Sequence, residues 1–123
     1  MKLFILNAFI LFCSSAFSQK TTVSLLPAGK YEAVMKQSQH KWSNGDIILM
    51  DENRYKVSSN EEVGEYRFSA TAQRIFFVSG PLKTVFAKTS LNAEKPIIIL
   101  PFAENEKQGL RIISADVIAY LRE

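Results

Sequence analysis

From Gly29 onward the chain alternates apolar and polar residues in short runs, broken by turn signals about every ten residues. In Gly29 to Lys36, Tyr31, Ala33 and Met35 fall on one face, and Lys30, Glu32 and Lys36 on the other. Gln37 to Asn44 is a polar loop closing with Gly45. Ile47 to Met50 is a continuous apolar run between Asp46 and Asp51. Asp51-Glu52-Asn53 is a tight polar turn, and Arg54 to Ser58 resumes the alternation with Tyr55 and Val57 inward. Two strands about such a turn form a hairpin.

Ser58 to Glu62 turns the chain again. Beyond it Gly64, Tyr66 and Phe68 share one face, and Glu65 and Arg67 the other. Thr71-Ala72-Gln73 leads into a strand over Arg74 to Val78, which Ser79-Gly80-Pro81 stops. Lys83 to Thr89 reads as a strand with Val85 and Ala87 on one side, and Leu91 to Lys95 as a loop. Ile97 to Phe102 is a strongly apolar strand with Pro101 at its edge or end. Glu104 to Gly109 reads as a charged turn and Leu110 to Ile113 as a strand. Asp116 to Leu121 fits a short helix through Val117, Ile118, Tyr120 and Leu121, or a strand with Ile118 and Tyr120 on one face. Strand is preferred, because every preceding unit is one. Upstream, Val23 to Leu26 reads as a short edge strand punctuated by Pro27.

Roughly seven to nine short strands at this spacing, with no βαβ pattern, predict an all-β fold. The expected form is a small antiparallel up-and-down meander closed as a barrel; a two-sheet sandwich is the alternative. Closure would remove the edge hazard of so much Val, Ile and Phe.

The first eighteen residues stand apart from this pattern. Met1-Lys2 is a short basic start, Leu3 to Phe12 is apolar apart from Asn7, and Ala16-Phe17-Ser18 has the small–x–small form of a peptidase site. The apolar run is shorter than the ~20 residues a bilayer span needs. Residues 1–18 are therefore expected to be a cleaved signal peptide, with cleavage between Ser18 and Gln19. Residues 19–123 would then be one exported domain, periplasmic or extracellular, with no transmembrane segment. Ile10-Leu11-Phe12-Cys13 raises lipid anchoring at Cys13 as an alternative, although Phe12 is bulky where a lipobox has a small residue.

Composition narrows the chemistry. The chain has 123 residues, 47% of them apolar and 22% charged, which fits one globular domain. One Cys and one His nearly exclude zinc sites, disulfide scaffolds, Cys–His nucleophile pairs and two-His metal centres. His40 lies in the polar loop, and no nucleophile elbow accompanies it. The adjacent acids Asp51-Glu52 and Glu61-Glu62 fall in expected turns, where carboxylates are solvated. The net charge of +3 is spread among twelve acids without a basic run, so nucleic acid is not an expected partner. No enzyme activity, metal or cofactor is expected.

The turn and strand signals also carry a resemblance. Pro27-x-Gly29-x-Tyr31, Asn53-x-Tyr55, Gly64-x-Tyr66 and Ile75-x-Phe77-x-Ser79-Gly80-Pro81 together look like a group of small exported, lipocalin-like β-meander domains. The match runs from Pro27 to Leu82. Lipocalins carry Gly-x-Trp near the first strand, and here Tyr31 stands in that place. The resemblance implies a fold and no reaction.

Function then turns on the apolar inventory. A small barrel either fills its interior or holds one ligand. Trp42, in the longest polar loop, is placed to lid a barrel mouth or anchor an interface. Together with Tyr31 and Tyr66 it forms the candidate contact set for a small apolar ligand. Phe76 beside Phe77 points the other way, since strand neighbours face opposite sides and one of them has to leave the interior. The fold then has either a second packed layer or an exposed apolar patch. The leading reading is a non-enzymatic exported barrel that binds a small apolar ligand, and the alternative is a cell-envelope or extracellular interaction module with a filled core and an outer apolar patch that meets a protein partner.

Overall fold

The computed structural model describes residues 22–109 and 115–122. Eight antiparallel strands, each bonded to the next and the last to the first, close into a barrel. They are β1 Gly29–Met35, β2 Ile47–Leu49, β3 Arg54–Val57, β4 Gly64–Ser69, β5 Arg74–Phe77, β6 Phe86–Asn92, β7 Lys95–Leu100 and β8 Val117–Arg122. One short helix, α1 Phe102–Lys107, joins β7 to β8. The all-β up-and-down meander is thus realised as a barrel, not a sandwich. β1 and β8 seal it through register pairs running from Lys30↔Arg122 to Met35↔Val117.

Alternation along each strand decides what goes inside. Tyr31 and Ala33, Ile47 and Leu49, Tyr55 and Val57, Ile75 and Phe77, Ile98 and Leu100, and Val117 and Ala119 are all buried. Tyr66 and Ala87 join them from β4 and β6. Small residues beside large rings are what a narrow barrel needs to fill its taper.

The register defines two ends. The lower end holds the start of β1 and the β2–β3, β4–β5 and β6–β7 turns. The upper end holds the long connections, including the Trp42 loop and α1. Each end is held by a side-chain amide standing in for a peptide group. At the lower end Val23 N–H donates to Gln73 Oε1 and Gln73 Nε2 donates to the Val23 carbonyl, both at 2.7 Å. At the upper end Phe86 N–H donates to Asn105 Oδ1 (2.7 Å), and Asn105 Nδ2 donates to the carbonyls of Phe86 (3.1 Å) and Pro101 (2.8 Å). The β6–β7 ladder ends at Lys88↔Ile99, and Pro101, just past the end of β7, has no N–H to give. Asn105, fully buried, supplies the missing pairing.

Several expectations are corrected here. Val23 to Leu26 is not an edge strand; it crosses the lower end with Val23 and Leu26 buried, tied by Gln73 rather than by a ladder. The strand expected over Lys83 to Thr89 starts at Phe86, because Pro81 to Thr84 forms turns, and it continues to Asn92. The expected loop Leu91 to Lys95 is a tight hairpin in which only Ala93 and Glu94 lie between paired residues, both with positive φ. That turn lacks the Asn-Gly signature that usually announces it. The strand after it therefore begins at Lys95 and ends at Leu100. Glu104 to Gly109 is not a simple turn, since Phe102–Lys107 is helical. Asp116 caps that helix from a distance, accepting the Phe102 N–H at 2.7 Å. The terminal segment is a strand, with Val117 and Ala119 inward and Ile118 and Tyr120 on the outer wall. The expected signal peptide, Cys13 and the Leu110 to Ile113 strand lie outside the described residues.

From the Asn53-x-Tyr55, Gly64-x-Tyr66 and Ser79-Gly80-Pro81 signals, Tyr55, Gly64, Ser79 and Gly80 converge at the upper end. Gly64 and Gly80 cross backbone to backbone: a Cβ on Gly80 would stand 2.6 Å from Gly64 Cα, and a Cβ on Gly64 2.7 Å from Tyr55 Cε1. Gly80 also has φ +89°, which side chains resist. The Tyr55 hydroxyl locks the crossing, donating to Ser79 O and accepting the Leu82 N–H, each at 2.7 Å. Tyr55→Phe should therefore destabilise the fold by about 1–3 kcal/mol in urea unfolding, because a buried N–H and a carbonyl lose their partner. Gly80→Ala should cost more than Tyr55→Phe, adding a clash to backbone strain. Tyr55→Phe within about 0.5 kcal/mol of the wild type would show that water or a shifted loop satisfies both groups.

Candidate functional site

Two places on the barrel are candidates, the interior and the outer wall. The sequence-predicted contacts Tyr31, Trp42 and Tyr66 all belong to the interior core. They do not meet at one mouth. Tyr31 donates its hydroxyl to Pro27 O (2.7 Å) and Tyr66 to Asp51 O (2.6 Å), both at the lower end. Trp42 enters from the upper end, where its backbone N–H donates to Ala33 O at 3.0 Å, and its side chain folds back onto the core with 4% of the residue's surface exposed. Gly45 N–H donates to Trp42 O at 2.9 Å and closes the loop.

Burial alters the acid–base behaviour of the phenols. Burial, together with the neighbouring Tyr66 hydroxyl, pushes Tyr31 well above the ordinary phenol value. Tyr55 is pushed up to about 12 by burial, partly offset by the Leu82 N–H it accepts. Tyr66 is raised by burial and by Asp51 and Glu52. All three hydroxyls are neutral donors to backbone carbonyls, so none is aimed at an open space as a ligand-orienting group.

A void large enough for one water would leave accessible surface on its lining. Tyr31, Ile47, Tyr55, Ile75, Ile98 and Leu100, drawn from five of the eight strands, have none.

The outer wall divides into two halves by charge. Around β1, β2 and β8, cations are matched by carboxylates. Asp46, 3% exposed, lies 3.6 Å from Lys30 Nζ and 3.3 Å from Lys41 Nζ, and its Oδ1 accepts the Ala33 N–H. Glu32 pairs with Lys41 at 3.4 Å and with Arg122. Hydrogen bonding to Arg122 is the first cause that holds Glu32 below the usual carboxylate range. At the lower turn Arg54 pairs with Asp51 at 2.6 Å and holds that carboxyl low in the same way. The acids Asp51 and Glu52 thus sit in a turn, Glu61 and Glu62 are exposed in the β3–β4 connection, and His40 is exposed in the upper loop. Among the described residues no three His, Cys, Asp or Glu side chains gather as metal ligands.

Across β4, β5 and β6 the wall is different. Phe76 and Phe86 are direct register partners, and Arg67 is the partner of Phe76 on its other side. The Arg74 guanidinium carbon lies 4.5 Å from the Phe76 ring centroid and 4.0 Å from that of Phe86. Arg74 Nε is buried there without a hydrogen-bond partner. Phe76 and Val78, two apart on one side of the chain, are 40% and 43% exposed. Phe77, between them, is buried against Tyr55 with ring centroids 4.8 Å apart. The Phe76-Phe77 doublet signalled an outward aromatic. Arg67, Arg74 and Lys88 carried no signal, because sequence separations of seven and fourteen hide a cluster that only the hairpin register assembles.

No helix among the described residues is long and apolar enough to cross a membrane. No protein-family model, curated protein or solved structure matches the chain.

The phenol shifts have a pH consequence. Each of these groups has a folded pKa above its ordinary value of 10.0, so the unfolded chain loses those protons first as pH rises. Their contribution is fully present below pH 10 and is lost as pH climbs through the folded values. Stability measured by denaturant unfolding should fall steadily between about pH 10 and 12. Phenolate absorbance should stay incomplete until that loss occurs. Full ionisation of Tyr31, Tyr55 and Tyr66 near pH 10 in a still-folded protein would contradict the burial of their hydroxyls.

Proposed function

We propose that this chain is a non-enzymatic, exported interaction module that works through the outside of its barrel. The observation that carries the reading is the combination of buried inward side chains on the described strands and an outward Phe76 braced by Arg74. A ligand carrier needs polar groups that converge on a shared space. Here the polar groups of the interior are tied to backbone carbonyls, and Trp42 lies at the end opposite the Tyr31 and Tyr66 hydroxyls. The outer wall offers what an interaction surface uses, namely exposed apolar side chains next to cations. Export rests on the signal-like character of residues 1–18.

Trp42 is the sole tryptophan, so its fluorescence reports on the interior directly. Fatty acids, isoprenoids and aromatic probes should give no saturable, stoichiometric change in that signal. Phe76→Ser should leave thermal stability close to the wild type while weakening capture of the partner. A saturable response to any probe, weakened by Trp42→Ala, would replace this reading with that of an apolar-ligand carrier.

A further inference from the structure

We infer that the partner of the outer wall of β4–β6 is an anionic lipid surface, on which the protein docks peripherally; this rests on the outer-wall reading above. The first observation is charge. The outward positions of these three strands carry Arg67, Arg74 and Lys88 against one carboxylate, Glu65. Arg67 and Lys88 make no ion pair among the described residues, and Arg74 has only the two rings and an unpartnered Nε. Elsewhere on the barrel Lys30, Lys41, Arg54 and Arg122 are each matched by an acid.

The second observation is register. Arg74 and Lys88 stand directly opposite each other, and like charges so placed repel. An anionic surface outside the molecule would relieve that repulsion. The third observation separates a lipid surface from a soluble polyanion. Phe76 and Val78 stand exposed amid the cations, and Phe86 is half-buried beside them. A bilayer interface rewards apolar side chains and cations together. A soluble acidic polymer rewards the cations alone. A strand-adding peptide is excluded as occupant because every strand of the closed barrel already has two neighbours.

The test is co-sedimentation of the full chain, as purified, with vesicles of phosphatidylcholine alone or mixed with phosphatidylglycerol. The apolar segment Leu3 to Phe12 is common to every arm, so the readout is the difference between variants. Binding should be stronger to the anionic vesicles and should weaken with salt. Arg67→Gln and Lys88→Gln should each lower the partition coefficient about fivefold, and together about twenty- to thirtyfold. Phe76→Ser should lower it about five- to tenfold. All three sites are exposed, and unchanged thermal unfolding confirms the fold of each variant. Equal binding to both vesicle types, binding to neither, or variants that partition like the wild type would overturn the inference. So would salt-sensitive binding to heparin without vesicle binding, which would make the partner a soluble polyanion. These failures leave the outer-wall reading standing, whereas a saturable Trp42 response to an apolar probe removes both.

Discussion

Everything else in this molecule follows from closing eight strands of three to seven residues around a space that side chains must fill completely. Three tyrosines do much of the filling. A phenol is long enough to cross half of a narrow barrel, but its hydroxyl then has to reach a polar partner. Tyr31 and Tyr66 reach backbone carbonyls at the lower end, and Tyr55 reaches Ser79 O at the upper end. Each ring therefore serves as core and as a tie between the wall and a connection. The same geometry explains why Gly64 and Gly80 are required. Tyr55 can lie over the β3–β4 and β5–β6 connections only where neither backbone carries a Cβ.

Filling the interior shifts the difficulty to the ends, where ladders stop and backbone groups lose partners. Primary amides solve this twice. Gln73 pairs with Val23, and Asn105 with Phe86, each through one donor and one acceptor as a peptide group would. Asp46 applies related chemistry at the gap between β1 and β2, where its carboxylate takes the Ala33 N–H that no strand neighbour reaches. With two lysines at its rim, the buried charge remains compensated.

These devices also mark the boundary of what the sequence discloses. Strands whose two faces differ were legible: β1, β3 and β4 lie within a residue or so of the expected spans, and their inward residues are as the alternation implies. Elements set by distant partners were not. Val23 to Leu26 has strand-like composition, yet a glutamine fifty residues away holds it as a crossing segment. The Ala93-Glu94 turn has positive φ at two residues with little preference for it, so the paired strands on either side impose the turn. Helix α1 is too short for periodicity to announce, and Asp116 and Asn105 hold its two sides. The outer cluster of Arg67, Arg74 and Lys88 was hidden for the same reason, since charge scattered along a chain becomes a patch only through register.

A closed barrel has given up one usual way in which a β-sheet recognises others, an edge, and the side chains of its described core are buried. What remains is the texture of its outer wall, and there the two halves diverge. Around β1 and β8 the wall is internally balanced, with Glu32 and Asp46 holding Lys30, Lys41 and Arg122 in one connected network. Such a surface is satisfied by its own charges. Around β5 and β6 a guanidinium lies against two phenyl rings, keeps one N–H buried and unpaired, and faces a lysine across the ladder. Cation–π contact lowers the cost of holding Arg74 there without neutralising it. The uncompensated charge and the exposed Phe76 therefore occupy the same stretch of the wall, and that coincidence, more than any single residue, sets this side of the barrel apart from the balanced one.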